Sequence, residues 1–282
     1  MLPYMTNIVT GEKIQQLCDI YLGDQSDFNW NPLTKSHTSK HVNFYKLVSD
    51  FNNPYYVFCN SHNLNLLSQK LGFFQNEFIL VTHNSDGQIE QTDVVFDILN
   101  CDKILKWYGQ NICFEHPKLF FLPIGLANQQ WKHGNLSLFY DATFMNSIST
   151  KPNNIYFNFN ISTNKSKRQI CYDKLKHQIE WLIMIDPQDN LKRLASYKFC
   201  ICPEGNGVDT HRLWECIYLK VVPIVIKSEF TTILQKQNIP LHVLDDWDSL
   251  DTTKLNYHDF DFTHLENSIC NFNYIKCNAF IM

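Results

Sequence analysis

The chain has 282 residues, enough for one large domain or two of ordinary size. Apolar residues make up 44% and charged residues 18%, which supplies ample core material and argues against a disordered or coiled-coil chain. Twenty-four Lys and Arg against 28 Asp and Glu leave a formal net charge of −4, so no global basic field exists to hold a nucleic-acid backbone.

Residues 1–10 lack a basic region and a long apolar run, so they do not read as a signal peptide. No stretch approaches the roughly 18–20 apolar residues of a membrane span. The ten cysteines mostly sit beside strand-like apolar residues and read as buried free thiols, which fits a soluble cytoplasmic protein.

Residues 55–59 form the first clear apolar strand pattern, and 63–71, with leucines at 64, 66, 67 and 71, read as a helix. Residues 77–82 are a second buried strand that runs into His83-Asn84-Ser85-Asp86-Gly87. Thr92 or Asp93 caps a short helix through Leu99. Residues 104–108 and 118–122 are further strands, the last stopped by Pro123 and Gly125. Apolar strands without alternation point to a parallel sheet covered on both faces, hence an α/β fold. Residues 147–154, rich in Ser, Asn, Lys and Pro, mark a domain boundary, which gives units of 1–148 and 149–282.

The second unit restarts the pattern. It reads as a strand at 155–159, a helix at 166–177, a strand at 181–185, and a short helix capped by Asp189 and ending at Ser196. Strands at 198–202, 221–226 and 241–244 alternate with helices at 210–219 and 229–237, and 262–280 is amphipathic enough for a closing helix. Ligands of such sheets bind at the carboxyl ends of the strands, and two facing sheets would leave a cleft between them.

The most informative stretch follows the 198–202 strand. Gly205 and Gly207 permit a sharp turn or close approach to a ligand, and Thr210 stands at a helix start. His211, Arg212 and Glu215 can share one side of that helix, whose free amides suit a phosphate, while Leu213, Trp214 and Ile217 face the sheet. Arg212 is a partner for a diphosphate and Glu215 an acceptor for ribose hydroxyls; the same pair also reads as a surface salt bridge. Lys165, Lys167 and Arg168 cluster where positive charge opposes the helix dipole, a conflict that a bound anion relieves. No P-loop or dinucleotide fingerprint is present. The Cys200 and Cys202 side chains fall on one side of their strand, but a two-residue spacing without a second Cys/His pair is a poor zinc signal, and no metal site is assigned. Asp246-Trp247-Asp248 and Asp259-Phe260-Asp261 read as ordinary loop residues.

The run from Phe199 to Val225, FCICPEGNGVDTHRLWECIYLKVVPIV, resembles the nucleotide-sugar motif of the exostosin-like glycosyltransferases, glycosyltransferase family 47. There a strand leads to Pro-x-Gly, then Arg-x-x-Glu on a helix, then a strand ending in Pro-x-Val. THNSD at Thr82–Asp86 and HPKLFFLPIGLANQQWKHG at His116–Gly134 resemble the amino-terminal part of small relatives. Two features depart from the pattern: there is no membrane anchor, and Lys220 stands where a small residue is common. Compact, soluble versions resemble enzymes of large DNA viruses such as chlorella viruses, for which the host-cell cytoplasm would be the location.

The resemblance implies a GT-B-like architecture, two Rossmann-like domains facing across a cleft. Residues 1–148 would bind the acceptor and 149–282 the donor, with the C-terminal helix crossing back. It implies metal-independent, inverting transfer of a sugar from a UDP-sugar, UDP-xylose foremost, to a glycan hydroxyl, with no further cofactor. Lys165, Arg168, Pro203, Gly205, Asn206, Gly207, Thr210, His211, Arg212 and Glu215 would then hold the donor. Asp86, at a strand end on the acceptor side, is the first candidate for the base, and His83 the second. Asn111, Asn128, Trp131 and His133 are candidates for acceptor contacts. A catalytically inactive nucleotide- or glycan-binding module, or a structural protein, is the alternative.

Overall fold

The computed structural model describes residues 7–23, 40–42, 56–129, 131–139 and 151–279, with only the backbone for 40–42. Residue 55, the boundary at 148/149 and Phe280 lie outside the described residues.

Two parallel sheets carry the fold. The first contains β1 (Ile20–Leu22), β2 (Lys40–Val42), β3 (Tyr56–Cys59), β4 (Phe78–Thr82), β5 (Ile104–Gly109) and β6 (Leu119–Phe121), in the order β2-β1-β3-β4-β5-β6. That is a doubly wound order, with its reversal between β1 and β3. The second contains β7 (Asn153–Tyr156), β8 (Tyr197–Ile201), β9 (Val222–Ile226) and β10 (His242–Leu244), laid side by side in chain order. Described pairs in both sheets are parallel. β3 and β4 are buried along their whole length, as strands covered on both faces must be. The chain is therefore α/β with two parallel sheets, compatible with a two-domain Rossmann-like fold.

The helices start where side chains can take up orphan amides. Thr10 caps α1 (Gly11–Gln16) through Lys13 N, and Thr92 caps α3 (Asp93–Leu99) through Val95 N. α2 spans Leu64–Lys70, and α4 (Lys165–Leu175) is capped by Asn164. α5 (Pro187–Ala195) is capped by Asp186, with Pro187 in the first turn, so Asp189 lies inside the helix it was expected to cap. α6 spans His211–Tyr218, and α7 (Glu229–Lys236) opens with a Ser228–Thr231 capping box.

Two expected elements differ. Residues 181–185 form no strand: Trp181 packs edge-on against Phe157, Phe159 and Tyr172 at 4.8, 5.1 and 4.9 Å, while Ile183 and Met184 are 72% and 62% exposed. The apolar run fills one hole with an indole instead of laying a strand. The stretch 262–279 is not one helix but a 3-10 segment, Thr263–Asn267, followed by α8 (Phe272–Ala279). Asp261 and Asn271 accept from the amides of Thr263 and Asn273, so each restarts the chain with its own side chain. α8 packs on the first sheet's side, where Ile275 joins Val9, Ile14, Tyr21 and Phe58.

One apolar cluster runs through both halves. Phe121 at the end of β6 lies 6.3 Å from the Trp214 ring and 5.6 Å from Phe230, and Phe139 meets Tyr218 edge-on. Among the described residues no helix is long and apolar enough to cross a membrane.

Candidate functional site

The loops at the carboxyl ends of β4, β5 and β6 meet the loop after β8 along a seam. The loop after β8 turns at Gly205–Gly207, with Gly205 N donating to Gly207 O at 3.1 Å. A Cβ on Gly207 would stand 2.7 Å from the Asn111 side-chain oxygen, so glycine is what lets the first half approach this turn. Asn111 is fully buried with φ of 55°; its oxygen accepts from Asp209 N at 2.9 Å and its amide donates to Ser85 O.

Asp209 is the keystone of the seam. Its carboxylate accepts from Ile124 N at 2.7 Å in the first half and from Trp214 Nε1 at 2.6 Å in the second. Burial pushes this carboxyl up to about 7, against the hydrogen bonds that favour its charge. His211, the first residue of α6, donates Nδ1–H to Gly125 O at 2.8 Å, because a carbonyl can only accept. Burial lowers its pKa below the usual imidazole value, so Nε2 carries a lone pair at neutral pH. Asn206 donates to Asp86 Oδ2 at 3.1 Å across the seam. The sheets were expected to face across an open cleft; at this point they are bridged instead.

The two candidate bases have opposite surroundings. Asp86 is exposed at the seam. His83 is 1% exposed, with Nε2 donating to Pro123 O at 3.0 Å and Nδ1 lying 3.3 Å from the Asn84 oxygen. Burial lowers its pKa to about 4. With both nitrogens against protein oxygens, His83 has none to offer an acceptor hydroxyl in this arrangement, and its geometry is that of a brace.

The acceptor candidates divide in the same way. Asn111 is committed to the seam, and Asn128 donates to Asn84 Oδ1 while accepting from Glu12 N. Trp131, 45% exposed, stacks on the exposed His133 at 6.3 Å, and the His133 ring meets His211 edge-on at 6.3 Å. An aromatic line therefore runs from the surface to the start of α6.

A cavity of about 460 Å³ opens beside the Gly205–Gly207 turn, entirely within the second half. Pro203 and Thr210 line it, with Val225, Phe230 and Trp247 as apolar walls. Lys165, Arg168, Gly205, Asn206, Gly207, His211, Arg212 and Glu215 do not line it. Lys165 is exposed at the start of α4. Arg168 is spent on the turn itself, its Nε donating to Glu204 O and Nη1 to Asn160 O, both at 2.8 Å. Lys167 pairs with Glu204.

Arg212 and Glu215 pair with each other at 2.9 Å, with side chains 22% and 12% exposed. Arg212 also donates to Asn158 O and lies over the Tyr156 ring. Burial alone would lower the Arg212 pKa; the Glu215 carboxylate reverses that and keeps it charged. Thr210 occupies the N-cap position of α6 without a side-chain cap bond.

Sequence reasoning marked Gln110 as a strand-end position but did not single out Glu12 and Gln15; the three are buried and bind Asn84 N, Gln129 N and Asn84 Nδ2 respectively. Nor did it assign Asp209, although that residue stands inside the quoted motif. No periodicity marks such groups, because their partners come from other strands. Asp245, Asp246, Trp247 and Asp248, read as ordinary loop residues, border the cavity. Comparison with protein-family models and with curated proteins finds no match for this chain.

Proposed function

We propose that the chain is a glycosyltransferase of GT-B type, moving a sugar from a nucleotide-diphosphate donor, a UDP-sugar with UDP-xylose foremost, to a glycan hydroxyl with inversion. The observation that carries the reading is the cavity beside the Gly205–Gly207 turn, which shares Pro203 and Thr210 with the loop feeding α6. The donor nucleoside occupies that cavity, and its diphosphate rests at the uncapped amides of α6, where the helix dipole favours an anion. Lys167, on the cavity wall, adds positive charge. Departure of the nucleotide builds charge on the diphosphate, and fixed donors at that point lower the barrier.

The acceptor comes from the side of Trp131 and His133, an exposed stacked pair suited to a sugar face. Asp86 takes the proton from its hydroxyl, being the carboxylate exposed at the seam, and Asn206 orients it. Arg212 and Glu215 act one layer behind, holding β7 and α6 together.

A thermal-shift series with UDP, GDP, UDP-xylose, UDP-galactose and UDP-glucuronic acid tests the donor. A ligand present at 100 times its Kd adds about 2.7 kcal/mol to apparent stability. Absence of a shift with every nucleotide would overturn the reading. Donor binding without transfer to any glycan would favour the inactive-module alternative.

A further inference from the structure

Beneath the turn that precedes α6, three cysteines meet. Cys200 lies in β8 and Cys202 just beyond it, so the two-residue pleat puts both side chains on one face. Cys216 arrives from α6, on the stripe that buries Leu213, Trp214 and Ile217. The three sulfurs lie within 4.8 Å of one another, and Cys202 Sγ stands 3.8 Å from Cys216 Sγ. Metal–sulfur bonds of about 2.3 Å at tetrahedral angles place ligand sulfurs about 3.8 Å apart. The Cys202–Cys216 spacing is thus already that of neighbouring ligands on one ion, and Cys200 lies within 4.8 Å of both.

We propose that Cys200, Cys202 and Cys216 form a binding site for a single thiophilic d10 cation, with Zn²⁺ as the physiological class and Cd²⁺ as its probe. The inference does not depend on the glycosyltransferase reading.

Charge and access fit such an ion. Three thiolates around a divalent cation carry a net charge of −1, and the Arg212 guanidinium, paired with Glu215, stands close enough to Cys200 to attract that sulfur's charge. Binding forms three metal–sulfur bonds and releases up to three protons to solvent, with no change of oxidation state. Cys202 lines the cavity, which gives ion and protons a route. No fourth His, Asp, Glu or Cys joins the group among the described residues, so water or an added thiol completes a tetrahedron. The ion would tie the strand before the turn to the helix after it.

The test uses the full chain, reduced with a non-thiol reductant, with Cys101, Cys113 and Cys277 replaced by serine to remove the partly exposed or exposed thiols. Titration with Cd²⁺ alone is followed by the thiolate charge-transfer absorbance and by proton release in weak buffer. One equivalent should saturate the absorbance and release two to three protons, and Zn²⁺ should displace it. Cys216→Ala and Cys200→Ala should each weaken binding by about 100-fold or more, beyond the 10–100-fold typical of outer-shell partners. The absence of saturable one-equivalent binding in the parent overturns the site without any variant. So does either alanine variant binding as tightly as its parent, and having two variants keeps the test open should one fail to fold.

Discussion

The carboxyl edges of the two sheets are built for different work. On the first, polar groups are largely consumed internally: His83 on Pro123, Asn84 on Gln110, Asn111 on Ser85, Asn128 on Asn84. On the second, the loop after β8 stops short of the next helices and leaves a cavity of about 460 Å³ with apolar walls. One edge is a fixed plate and the other a receptacle. Satisfied buried networks rigidify a surface, whereas a concave apolar pocket with a few polar groups is where a small molecule gains affinity. The proposed transfer needs both, one to aim a nucleophile and one to hold a donor.

The strongest way to break this contrast is Asp86→Asn. If the plate carries the base, glycan transfer should fall by about 10²- to 10⁴-fold while UDP affinity is unchanged; steady-state turnover alongside calorimetric titration checks it. Asn111→Ala should cost about 1–3 kcal/mol of stability in denaturant melts, because it leaves the buried Asp209 amide without its acceptor. Ile170→Trp probes the receptacle. Ile170 lines the cavity yet is 57% exposed, so an indole there should weaken UDP about tenfold, or 1.4 kcal/mol, with the melting temperature nearly unmoved.

The smallest effect is on pH dependence, where two buried groups oppose each other. His83 is lowered to about 4, so the unfolded chain binds more protons between about pH 4 and 6.5 and stability gains from rising pH there. Asp209 is raised to about 7, so the folded chain holds the extra proton and stability declines as pH climbs from about 4 to 7. Relative to wild type, His83→Asn should tilt the stability profile downward across about pH 4.5–6.5 and Asp209→Asn should tilt it upward, read from urea melts at each pH.

Much of the receptacle was legible in the sequence. The apolar runs of β8 and β9 and the Leu213, Trp214 and Ile217 stripe of α6 are buried as their patterns require. Gly207 signalled a close approach, though not that Asn111 would make it. The plate was hardly legible. Glu12 and Gln15 look like ordinary surface residues in one dimension, and only the packing of α1 against the loop after β4 buries them. β1 is three residues long, too short for periodicity to register. Arg212 and Glu215 were correctly read as partners on one helix face, but one reading sent them to a ligand; the Asn158 carbonyl and Tyr156 ring claim the arginine first.

The aromatic contact of Phe121 with Trp214 and Phe230 joins what might otherwise be two separable lobes. Shearing one lobe from the other would wet three large rings, so wide excursions carry a steep penalty and exchange of bound molecules should proceed through the cavity mouth. Calorimetry should accordingly show a single endotherm, and either lobe expressed by itself should be sticky and poorly folded.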